Sequence, residues 1–121
     1  MDTQKEYIVD TFTKYLIRFI NALSELEELY PYFKNKDTII TYIDLNPENI
    51  IKNFIKYIMP HEDQIINSNI EYFISFFEHL LNSNKHIPDK TTIRNISPNN
   101  KRVIFIYLQN ICKLIKKYTE I

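Results

Sequence analysis

The sequence predicts an all-α fold, a compact bundle of four to five helices with no sheet. Three observations predict it. Apolar residues recur at three- and four-residue steps along most of the chain, the period of one helical face. Asn46-Pro47 and Ser97-Pro98 each place a capping residue before a proline, a helix-start signal. The 121 residues contain no glycine, where average usage gives about eight, which excludes folds built on glycine-rich loops and leaves an all-helical reading.

The first helix carries Ile8, Phe12, Tyr15, Leu16, Phe19, Leu23, Leu26 and Tyr30 on one face. Asp2 or Thr3 can cap its start, and Pro31 stops it by removing the next backbone donor. Glu25, Glu27 and Glu28 crowd its last turn, where the helix dipole disfavours negative charge, a mild frustration either tolerated or relieved by a basic neighbour. Asp37 or Thr38 opens a short second helix with Ile39, Ile40 and Ile43, although the β-branched run 38–43 equally fits a strand. No strand partner is evident elsewhere. The third helix starts at Asn46-Pro47-Glu48 and turns Ile50, Ile51, Phe54, Ile55 and Ile58 inward before Pro60.

Residues 61–67 read as a connecting turn or short helix that buries Ile65 and Ile66. A further helix, capped by Asn67 or Ser68, carries Ile70, Phe73, Phe76, Phe77, Leu80 and Leu81 inward. Residues 82–97 form one long ordered connection in which Ile87, Ile93 and Ile96 pack down as a lid. Ser97-Pro98 launches the last helix, whose apolar stripe is Ile104, Tyr107, Leu108, Ile111, Leu114, Ile115 and Tyr118. Asparagine or plain fraying has to serve at helix ends in place of glycine. With no repeat and no boundary signal, residues 1–121 read as a single helical domain.

The missing glycine also bears on function. Walker-type phosphate loops, dinucleotide fingerprints, EF-hand loops and the G-x-S-x-G elbow all need glycine, and all are excluded. Cys112 is the single cysteine, so an intramolecular disulfide and a cysteine-based zinc site are excluded, and its apolar flanks read as a packed small hydrophobe. His61 beside Glu62 and Asp63, and His79 with His86, do not converge at metal-ligand spacing and read as solvated histidines at helix ends. The Glu25, Glu27 and Glu28 cluster reads as a solvated end rather than an acid–base pair, and no nucleophile motif is present. The expectation is a protein that is not an enzyme and needs no cofactor and no metal.

The formal net charge is zero, from 15 basic and 15 acidic residues, which argues against a dedicated nucleic-acid coat. The polar start MDTQKEYIVD does not fit a secretory signal, and no apolar run approaches the ~20 residues that span a bilayer, so an intracellular protein without a membrane span is expected. Two surfaces are candidates for a partner. One is the basic face of the last helix, Lys101, Arg102, Lys113, Lys116 and Lys117, suited to an acidic protein or to nucleic-acid phosphates, with Tyr118 available for stacking. The same charges also suit an ordinary solvated face. The other is aromatic: Tyr7, Tyr30, Tyr32, Phe33, Tyr57 and Tyr72 exceed what a small core encloses, and clustered on the surface they would mark a protein interface or self-association.

Phe19-Ile20-Asn21-Ala22-Leu23 leading to Leu29-Tyr30-Pro31, the middle element Phe54-Ile55-Lys56-Tyr57-Ile58-Met59-Pro60, and Ser97-Pro98-Asn99-Asn100-Lys101 leading to Ile104 through Asn110 form one pattern of hydrophobic spacing. Together they resemble a group of small uncharacterised helical proteins encoded by nucleocytoplasmic large DNA viruses, with Phe105 where tryptophan is expected. The resemblance implies a viral protein of the host cytoplasm, viral factory or virion, and an AT-rich composition of twelve lysines to three arginines accords with it. It supplies no catalytic residues. The function expected is that of a non-enzymatic helical interaction protein, an adaptor or virion-associated component. The alternative is a nucleic-acid-associated accessory factor in viral transcription or packaging.

Overall fold

A computed structural model describes residues 3–69, 72 and 90–121. These residues form six α-helices and two 3-10 turns, with no strand among them. The helices are α1 (Thr3–Glu25), α2 (Lys36–Leu45), α3 (Pro47–Tyr57), α4 (Glu62–Ile66), α5 (Lys90–Arg94) and α6 (Pro98–Thr119); the 3-10 turns are Tyr30–Phe33 and Met59–His61. The ambiguous run 38–43 is helical, and the all-α architecture stands. No helix among the described residues is long and apolar enough to cross a membrane.

The two long helices α1 and α6 make the frame. Lys5 meets Tyr118, Tyr15 meets Tyr107 and Asn110, and Glu28 just past α1 meets Ser97 and Asn100, so the two run antiparallel. One buried apolar cluster draws Phe12, Leu16, Phe19 and Leu23 from α1, Ile43 from α2 and Ile51 and Phe54 from α3. From α6 it takes Ile104, Leu108, Ile111 and Ile115. Phe12 meets Phe54 edge to face, with ring centroids 5.5 Å apart at 80°. Phe19 stacks on Tyr107 at 5.1 Å and 15°. Thr13 is buried without penalty because its hydroxyl donates to the Val9 carbonyl at 2.8 Å.

The first helix ends earlier than the periodicity predicts. It stops at Glu25, and the Leu26 and Leu29 amides make short three-residue bonds to the Leu23 and Leu26 carbonyls. Pro31 therefore sits in the first turn of the 3-10 segment rather than terminating the helix. Ending there removes Glu27 and Glu28 from the negative end of the dipole. It also buries Leu29 completely. A basic neighbour is not what receives Glu28. Its carboxylate accepts the Ser97 backbone N–H at 3.0 Å and the Asn100 amide at 2.9 and 3.3 Å. These bonds hold the Glu28 carboxyl below its ordinary pKa, the Ser97 backbone donor contributing most.

The proline-marked starts work by two routes. At α6, Ser97 is extended and its hydroxyl accepts the Asn100 amide N–H at 3.3 Å, a side-chain cap. At α3, Asn46 holds the cap position without a side-chain cap bond. Its side-chain nitrogen instead donates backwards to the Tyr42 carbonyl at 3.0 Å, closing α2 while its own carbonyl accepts the Ile50 amide at 3.1 Å. One residue thus ends one helix and begins the next. Asn67, expected with Ser68 as a cap for the start of the next helix, closes the end of α4, and the left-handed backbone position after it falls on Ser68, at φ 59°.

Three expectations need correction or bounding. Ile65 is buried, yet Ile66 is 55% exposed, because the short α4 presents one side to α6. The connection 82–97 is not wholly irregular: α5 forms within it and Ile93 and Ile96 pack into the core as anticipated. The expected inward residues Ile70, Phe73, Phe76, Phe77, Leu80, Leu81 and Ile87, the cap at Asp2, and His79 with His86 lie outside the described residues.

Candidate functional site

Helix α6 is buried along one side and open along the other. On its buried side Phe105 and Cys112 join the predicted stripe, so the packed surface is wider than the seven predicted residues. On its open side, steps of four and three residues align Asn99, Val103, Ile106, Asn110, Lys113 and Lys117. Val103 is 37% and Ile106 51% exposed. The run Val103–Leu108 is six consecutive apolar residues, more than one and a half turns, and a helix packed on one side cannot bury all six. That run is the sequence signal that places two of them outside, one that the three- and four-residue stripe does not carry.

The basic face divides. Lys101 Nζ donates to the Arg94 carbonyl at 3.0 Å, tying α6 to α5. Lys116 Nζ lies 2.9 Å from a Glu62 carboxylate oxygen and ties α6 to α4. Arg102, Lys113 and Lys117 are exposed and make no hydrogen bond or ion pair with other described residues. They flank the exposed valine and isoleucine. Within Pro98–Thr119 there is no acidic residue, so α6 itself neutralises none of this charge.

Gln109 sets the neighbouring element. Its side-chain nitrogen donates to the Ile65 and Ile66 carbonyls at 3.2 and 3.3 Å, holding the end of α4 one turn along from Ile106. The exposed Ile66 is thereby anchored beside the stripe. On the other flank, Asn110 donates to the Tyr15 hydroxyl at 2.9 Å, and Arg18 lies 5.9 Å from the Tyr15 ring centre. Beyond Lys117 an open groove of about 590 Å³ is lined by Tyr7, Ile8, Lys117 and Ile121, with Tyr7 72% exposed.

One residue of the expected aromatic surface, Phe33, lies in the core. Phe33 is 2% exposed and belongs to the core, because the 3-10 turn rolls it under α1 while leaving Tyr30 outside. Tyr30 is exposed beneath Lys34, Tyr32 is half-buried, Tyr57 is exposed beside Lys56, and the half-buried Tyr72 ring lies 4.9 Å from His61. Tyr118 is half-buried and covered by Lys5 at 4.9 Å, a position that does not offer its face for stacking.

The remaining chemistry is quiet. No group of three or more His, Cys, Asp or Glu residues is placed to hold a metal among the described residues. Burial pushes the Cys112 thiol up to about 12, helped by the charge of Glu62 and opposed by Lys116. A cleft of about 390 Å³ near the start of α1 is lined by Glu6, Asp10, Asp44 and Glu48, all exposed, with Asp10 paired to Lys14 at 3.0 Å. No protein-family model, curated protein or solved structure matches the chain.

Proposed function

We propose that this is a non-enzymatic interaction protein that engages a protein partner through the open side of α6. One observation carries the reading: Val103 and Ile106 stand exposed on a helix that is otherwise tied down on both flanks. Single exposed apolar residues are ordinary, but here they share one line with Lys113 and Lys117, with Arg102 beside it, on a 22-residue helix. The resemblance to proteins of large DNA viruses gives the setting we propose, an adaptor or virion-associated component inside an infected cell.

A second reading, an accessory factor bound to nucleic acid, is favoured by the absence of acidic residues from α6. Size-exclusion chromatography with light scattering, at low and high salt and with and without short duplex DNA, separates the two. The interaction reading expects no co-elution with DNA at either salt. Co-elution that salt abolishes, and that Lys113→Glu with Lys117→Glu removes, overturns it in favour of nucleic acid. A dimer that persists in salt and is lost in Ile106→Glu makes a second copy the partner.

A further inference from the structure

We propose that the open side of α6 docks an acidic amphipathic helix of another protein, whose apolar residues cover Val103, Ile106 and Ile66 and whose carboxylates face Arg102, Lys113 and Lys117. This rests on the interaction reading above and names the chemistry of the partner.

The charge pattern selects the partner's sign. Five basic residues lie on α6 and none acidic; two of the five are consumed within the chain, by Glu62 and by the Arg94 carbonyl. The other three remain in solvent on the side that carries the exposed apolar residues. A complementary surface brings carboxylates to the flanks and apolar groups to the middle. From Arg102 to Lys117 the helix advances about 22 Å, the span of a partner helix of roughly fifteen residues.

Two other occupants fit less well. A second copy laid along the same face meets cations with cations, since the stripe offers itself no carboxylate. Nucleic acid leaves the apolar centre unused, and three cations supply only about half or less of the phosphate contacts that a strongly held duplex takes, roughly 6–10.

The test is a titration of the full-length isotope-labelled protein with a helical peptide of roughly fifteen residues, leucines on one face and glutamates flanking them. The controls are the same peptide with lysines for the glutamates, and short duplex DNA. The glutamate peptide is expected to shift the amide signals of Val103, Ile106, Lys113 and Lys117, and to bind at least about tenfold tighter than the lysine peptide. Ile106→Glu should weaken it about tenfold. Lys113→Glu with Lys117→Glu should invert the preference toward the lysine peptide, while a retained amide spectrum shows that these surface variants fold. Equal binding of both peptides, shifts confined to other surfaces, or no binding overturns the proposal. In those cases, with DNA inert, the broader interaction reading still stands on the chromatographic test. Duplex DNA shifting the same four residues more strongly than either peptide overturns both.

Discussion

Glu28 precedes Ser97 by 69 residues, and its carboxylate accepts the Ser97 backbone N–H at 3.0 Å. An acid beyond the end of α1 thereby satisfies an orphan donor at the start of α6, where the dipole favours negative charge. The folded-state pKa of Glu28 lies below its unfolded value, so its contribution is full above the ordinary glutamate pKa of about 4.3 and is lost as pH falls through the depressed value. Chemical denaturation from pH 7 to pH 3 should show Glu28→Ala less stable at neutral pH, with the gap to the native sequence closing in acid. A gap that stays constant with pH would mean that Glu28 acts by packing alone.

Helix starts give a second test. Ser97→Ala removes a side-chain cap and should cost about 1 kcal/mol, whereas Asn46→Ala removes only a backward bond to Tyr42 and should cost less. Thermal unfolding of both variants measures the difference; a larger loss at Asn46 contradicts the assigned geometry.

Core and surface aromatics should separate cleanly. Phe12→Ala and Phe33→Ala each empty a buried site and should cost ~3–5 kcal/mol in denaturant unfolding. Tyr30→Ala, next to Phe33 along the turn but exposed, should stay near ~0.5 kcal/mol.

Cys112 should be inert in the native protein. It is 2% exposed and its thiol is pushed up to about 12, so a chromogenic disulfide reagent at pH 8 should label it only as the chain unfolds. Rapid labelling under native conditions would place the residue at the surface.

Some of this was legible in the residues and some was not, for reasons that can be named. Ser97-Pro98 announces α6 because the cap is local: the accepting side chain and its backbone donor lie three residues apart. The partner of Glu28, just past α1, is the Ser97 backbone N–H 69 residues away, which no local window contains. The candidate site was half visible. Arg102, Lys113 and Lys117 stand out by charge, but Lys101 and Lys116 look equivalent until α5 and α4 arrive beside them. Val103 and Ile106 hide within an apolar run, and Phe33 looks like Tyr30 and Tyr32 until the 3-10 turn separates their directions.

The turns of this protein are made almost without left-handed backbone: among the described residues only Ser68 has positive φ. The consequence falls on the denatured ensemble. With no glycine and five prolines, every position of the unfolded chain has a side chain limiting its backbone, and five have φ fixed in advance. The chain therefore loses less freedom on folding than one of the same length with ordinary glycine usage. Corners that other proteins make with glycine are held here by Asn46, Asn67 and the prolines after the caps of α3 and α6.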